Sequence, residues 1–143
     1  MSTATNKAIV RRYLEQVFNE RRIDLCEEFL VEDYQIYGAG IVPGREAAKE
    51  WQTMIGAAFP DMQLTFEDMI AEGDKVVIQG AFCGTHQGEL FGIPATGKWV
   101  IQPSVFIFRL AKGEIVEGWY AMNDLDLMQQ LGVLPAPQVG QPV

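Results

Sequence analysis

MQLTFEDMIAEGDKVVIQGAFCGT (residues 62–85) sets two apolar-rich runs on either side of Glu72, Gly73 and Asp74. β-Branched and aromatic residues fill both runs, and the residues between them are turn formers, so the stretch predicts an antiparallel hairpin. A second pair of the same kind follows: KWVIQPSVFIFRL (98–110) meets EIVEGWYAM (114–122) across Lys112 and Gly113. Everything from Met62 to Ala121 therefore reads as strands joined by turns.

Upstream, the pattern changes period. In KAIVRRYLEQVF (7–18), Val10, Tyr13, Leu14, Val17 and Phe18 recur at helical spacing and leave Arg and Glu on the opposite face. Asp24 followed by Glu27 matches a capping box and predicts a short second helix there. VEDYQIYGAG (31–40) reads as a brief strand, with Tyr34 and Ile36 facing one way and Tyr37 the other, broken by Gly38 and Gly40. Pro43 and Gly44 introduce a third helix, whose stripe is Trp51, Met54, Ile55 and Ala58, and Pro60 ends it. NDLDLMQQL (123–131) predicts a closing helix capped by Asn123 or Asp124, and PAPQVGQPV (135–143) a loose tail. Helices followed by a curled antiparallel sheet make the chain α+β.

With 143 residues and 48% apolar content, the chain predicts one folded domain with one core. Its net charge of −8 repels a phosphate backbone, and Arg11, Arg12, Arg21 and Arg22 alternate with Glu15 and Glu20, so nucleic acid is not an expected partner. No apolar run approaches the roughly 20 residues of a membrane helix, and the start lacks the apolar stretch of a secretory signal. No membrane partner and a cytoplasmic location are the expectations. Cys26 and Cys83 are far apart without CxxC spacing, which predicts reduced thiols and no metal cluster. The segment HQGELFGIPATG (86–97) is rich in Gly and Pro yet carries Leu90, Phe91 and Ile93, so it should cover a cavity mouth or a neighbouring subunit.

FPDMQLTFEDMIAEGDKVVIQG, GTHQGELFGIPATGK and EGWYAMNDLDLMQQLG together resemble the SnoaL-like polyketide cyclases of the nuclear transport factor 2-like superfamily, from about Lys7 to Leu134. The resemblance implies a cone-shaped roll, a strongly curved sheet wrapped around an apolar pocket and closed by the N-terminal helices. It also implies a homodimer, no metal or organic cofactor, and acid–base chemistry on a hydrophobic, oxygenated small molecule. Counting back from Gln129 to Gly132 puts the family's catalytic Asp at Tyr120 and its His at Phe106; a second carboxylate falls at Asn123, or at Asp124 with a one-residue slip.

With Phe106 inward, alternation sends Val100, Gln102, Ser104 and Phe108 inward on the same strand, and Val116, Gly118 and Tyr120 inward on the next. Alternation from Leu64 and Phe66 turns Asp68 inward, where desolvation would raise its pKa and suit it to removing a proton beside a carbonyl. The catalytic candidates are thus Asp68, Tyr120 and His86. His86, the only histidine, is either a general acid at the pocket mouth or a structural group bonded to the loop backbone. The substrate-contacting candidates are Tyr37, Trp51, Gln79, Gln102, Phe106, Trp119 and Asn123. Alternation turns Trp119 outward as well, where with Ile107 it would meet a second copy, and Asn123 would also serve as a helix cap. The functions to be weighed are a cyclase-like or isomerase-like enzyme, an epoxide-opening enzyme in which a carboxylate works with a phenol, and a binding protein without catalysis.

Overall fold

The computed structural model describes residues 2–136, so most of the expected loose tail, residues 137–143, lies outside the described residues. Helix α1 (Thr3–Tyr13) starts on Ser2, whose hydroxyl accepts from the Thr5 N–H at 3.1 Å, and continues as a wider turn of π-helical pitch over Leu14–Asn19. The expected stripe Val10, Tyr13, Leu14, Val17 and Phe18 is buried. The capping box is not formed. Asp24 lies inside a 3₁₀ turn, Ile23–Leu25, that precedes α2 (Cys26–Phe29), and its exposed carboxylate pairs with Arg22 instead.

Helix α3 (Arg45–Ala58) stops before Pro60 and buries Ala48, Gln52, Ile55 and Ala58, with Trp51 half-buried beside them. The strands are β1 (Leu30–Tyr37), β2 (Gln63–Glu72), β3 (Lys75–Thr85), β4 (Trp99–Ala111) and β5 (Glu114–Met122). They form one sheet in the order β1-β5-β4-β3-β2. Strands β2 to β5 are antiparallel as their hairpins require, whereas β1 joins β5 in parallel, so the sheet is mixed. Helix α1 packs on β2 and β3, α3 on β1, and α4 (Asp124–Gln130) on β4. The α+β roll expected from the sequence is the observed fold.

Strand β4 alternates without interruption: Val100, Gln102, Ser104, Phe106, Phe108 and Leu110 are buried, and the residues between them are not. Two neighbours lose that regularity at bulges. Between the pairs Phe66–Gly80 and Asp68–Gln79, Glu67 is an extra residue, and the phase of β2 reverses beyond it. Met69 and Ala71 take the inner side, and Asp68 is exposed. Gly80 permits the bulge, since a Cβ there would collide with the Thr65 carbonyl. On β5 the register shifts between Arg109 and Leu110, so Ile115 is buried in place of the expected Val116. Gly118 and Tyr120 keep their inward phase.

Candidate active site

Between α3, the inner face of the sheet and the 86–98 loop lies a cavity of about 60 Å³. Helix α3 contributes Trp51, β4 contributes Gln102 and Phe106, the loop contributes Leu90 and Phe91, and α4 begins on it with Asp124. The lining is otherwise aromatic and aliphatic, and Asp124 is its one ionisable side chain among the described residues. Phe91 and Asp124 remain exposed to solvent while lining the cavity, so they mark its mouth.

Gln102 is buried, and its Nε2 donates to Asp124 Oδ1 at 2.8 Å. This bond holds the carboxylate at the cavity and satisfies an amide that would otherwise be stranded in apolar surroundings. Two further contacts fix α4 over β4. Asn123 Oδ1 accepts from the Asp126 N–H at 3.0 Å and caps the helix. The Gln130 amide both donates to the Ile101 carbonyl at 2.6 Å and accepts from the Ile101 N–H at 2.9 Å. That side chain continues the β4 ladder where β5 has already ended at Met122.

Of the residues expected from the sequence, the cavity gathers Trp51, Gln102 and Phe106. Tyr120 faces inward but is not at the cavity. Its ring lies behind those of Trp51 and Phe106, at 5.6 and 5.5 Å between centroids, and its hydroxyl is 2.9 Å from that of Tyr34. Nearby, Gln52 Nε2 donates to the Tyr13 hydroxyl at 2.9 Å, while the Cys26 thiol meets Gln52 Oε1 at 3.7 Å. Burial pushes the Tyr120 phenol up to about 12, with hydrogen bonds from Tyr34 and Tyr13 acting in the opposite direction. Tyr13 and Tyr34 are raised well above the usual phenol range by the same burial and by proximity to Tyr120.

The remaining candidates lie elsewhere. Asp68 is on the exposed side after the bulge, and its carboxylate accepts from the Met69 N–H at 2.9 Å. Its register partner Gln79 is exposed on the same outer face. Tyr37 and Trp119 are also outside, stacked with centroids 4.3 Å apart. Asn123 is occupied as the cap. His86 is fully buried against Phe59 and is not part of the cavity lining. Its Nδ1 lies 3.0 Å from the Thr96 hydroxyl and 3.2 Å from the Thr96 N–H, and its Nε2 is a buried atom without a protein partner. The Thr96 contact ties His86 to the 86–98 loop. Among the described residues, no group of three or more His, Cys, Asp or Glu side chains gathers as a metal site.

The residue that sequence reasoning passed over is Asp124, weighed only as a helix cap or a slipped position. The signal was its place: the first carboxylate after the last strand, one residue beyond the cap. Leu90 and Phe91, from the loop expected to cover either a cavity mouth or a neighbouring subunit, line the cavity.

A sequence model of the family described as SnoaL-like polyketide cyclase matches residues 8–131. No curated protein matches the chain. Among solved structures, a protein of Jannaschia sp. CCS1 described as a SnoaL-like polyketide cyclase is 26% identical with a TM-score of 0.84, over 93% of this chain and 95% of its own. TsrD from Streptomyces laurentii is 27% identical, TM-score 0.85, over 94% and 99%. AclR from Streptomyces galilaeus, described as a hydroxylase, is 28% identical, TM-score 0.86, over 96% and 87%.

Proposed function

The chain belongs to the SnoaL-like polyketide cyclase family, and from that premise we propose that it is an acid–base enzyme in which Asp124 moves a proton on a hydrophobic, oxygenated small molecule. The observation that carries this reading is the 2.8 Å bond from buried Gln102 to the Asp124 carboxylate at the rim of an apolar cavity. A carboxylate beside an apolar hollow can take a proton from the carbon next to a substrate carbonyl, leaving an enolate. The same group, now a carboxylic acid, returns that proton either to the far carbon of the enolate, where a conjugated double bond extends it to a dienolate, or to the alkoxide formed when the enolate carbon attacks a second carbonyl. The first outcome is an isomerisation and the second a ring closure. Gln102 is the positioning residue, holding one carboxylate oxygen so that the other meets the substrate.

The epoxide-opening alternative requires a phenol as acid. Tyr120 is closed into the core against Tyr34, which removes support from that reading. A homodimer is supported by the outer sheet face, where Tyr37, Trp119, Ile107, Val77 and Ile70 fall in one register row across all five strands. The free thiols Cys26 and Cys83 fit a cytoplasmic location.

The test follows hydrogen–deuterium exchange at the α-carbon of propiophenone in heavy water by NMR. The wild type should accelerate exchange, and Asp124→Asn should lose about 10²-fold or more of that acceleration. Equal rates for both proteins would remove Asp124 from the chemistry. Binding without any acceleration would favour the non-catalytic carrier.

A further inference from the structure

Phe91 is 65% exposed at the mouth of the cavity, and its backbone is left-handed, with φ +49° followed by +82° at Gly92. On either side, the Leu90 N–H donates to the Ile93 carbonyl at 3.0 Å and the Ile93 N–H to the Leu90 carbonyl at 2.8 Å. Two successive positive φ values between mutually bonded residues define a tight hairpin turn that favours Asn or Gly. An aromatic side chain there is strained and has its ring in water.

The support under that tip is firm. The Gln87 and Gly88 N–H groups donate to the Ala58 carbonyl at the end of α3, at 3.0 and 3.1 Å. His86 N–H reaches the Lys98 carbonyl at 2.9 Å, and Gly97 N–H reaches the His86 carbonyl at 2.8 Å, closing the base of the loop. Leu90, next to the tip, is fully buried. Gly88 lets the loop press against α3, since a Cβ there would collide with the Ala57 carbonyl. Phe91 is thus held out by a pinned frame.

Cavity size then divides the ligand in two. At about 60 Å³ the hollow is well below the roughly 150 Å³ that encloses benzene in an engineered core. It takes a short alkyl group, and whatever that group is attached to stays at the mouth, between Phe91 and Asp124. An exposed aromatic face there offers stacking to a planar ring.

We propose that Phe91 is a specificity-determining clamp selecting planar rings that carry a short ketone-bearing alkyl arm: the arm enters the cavity, its carbonyl-adjacent carbon meets Asp124, and the ring lies on Phe91. The proposal rests on the acid–base reading of Asp124, so its test measures equilibrium binding and leaves Asp124 in place. Ligand-observed NMR titrations compare propiophenone, which has the ring, with pentan-3-one, which has only the ketone arms. Phe91→Gly should weaken propiophenone by about tenfold and leave pentan-3-one within about twofold, while Phe91→Tyr restores wild-type binding. Because Gly relieves the left-handed strain, the Phe91→Gly melting temperature should rise by about 2–6 °C, so the lost affinity cannot come from misfolding.

Equal weakening of both ketones, unchanged propiophenone affinity, or no saturable propiophenone binding by the wild type would each overturn the clamp. A clamp that fails while Asp124-dependent exchange persists leaves the proposed chemistry standing. Ring-selective binding without exchange does the reverse, keeping the clamp and removing the chemistry.

Discussion

The hydroxyls of Tyr34 and Tyr120 lie 2.9 Å apart, with both side chains shut off from solvent behind Trp51 and Phe106. This contact absorbs the phenol that the strand pattern offered as a catalytic group. Gly118 makes room for it, because a Cβ at that position would collide with the Tyr34 hydroxyl.

Tyr120→Phe should therefore leave α-proton exchange within about threefold of wild type while lowering stability by about 1–3 kcal/mol, the usual effect of stranding a buried hydrogen-bond partner. Chemical denaturation and the propiophenone exchange assay together check it. A rate loss comparable to that of Asp124→Asn would return the phenol to the mechanism.

Gly118→Ala places a methyl group where the Tyr34 hydroxyl is, and the backbone on both sides is tied into β4 and β1. Overpacking of this kind costs about 1–3 kcal/mol. Combining it with Tyr34→Phe should recover part of the loss, since the clashing atom is gone, and thermal unfolding of the single and double variants reads the difference.

Alkaline pH should unfold the protein steeply. Tyr13, Tyr34 and Tyr120 have phenols raised by burial, Tyr120 to about 12, against about 10 in an unfolded chain. The folded state holds these protons more tightly, so their contribution to stability is complete below about pH 10 and is lost as pH rises through the folded values. Each tyrosine that ionises only on unfolding lowers stability by about 1.4 kcal/mol per pH unit above that point. Phenolate absorbance from the buried three should appear together with loss of circular dichroism; ionisation well before unfolding would contradict the sealed cluster.

Trp119→Lys should leave the fold intact and convert a homodimer to a monomer in sedimentation velocity. Trp119 is 47% exposed and stacked on Tyr37 outside the roll, in the middle of an apolar row on the outer sheet face. A wild type that is already monomeric at micromolar concentration would leave that row without a dimer to form.

Local pattern determined a good deal. The helical stripe of Val10, Tyr13, Leu14, Val17 and Phe18 and the two hairpins are short-range consequences of side-chain period and turn chemistry. The unbroken alternation of β4 also put Gln102 on the same face as Phe106, whose inward phase the family resemblance implied. The parallel pairing of β1 with β5 was not legible, because it joins distant segments and leaves no local mark.

The site divided along the same line. Asp68 is even-numbered like Leu64 and Phe66, yet one inserted residue at Glu67, accommodated by Gly80 on the neighbouring strand, turns it outward. Tyr120 has the inward phase that alternation gave it, but whether an inward side chain reaches a cavity or closes into core depends on what stands opposite, here Tyr34. Asp124 gained its place from a bond to Gln102, 22 positions earlier, and from Gln130 tying α4 to Ile101. Periodicity sets which face of an element a side chain occupies; partners brought together across the fold decide which inward groups are left to meet a substrate.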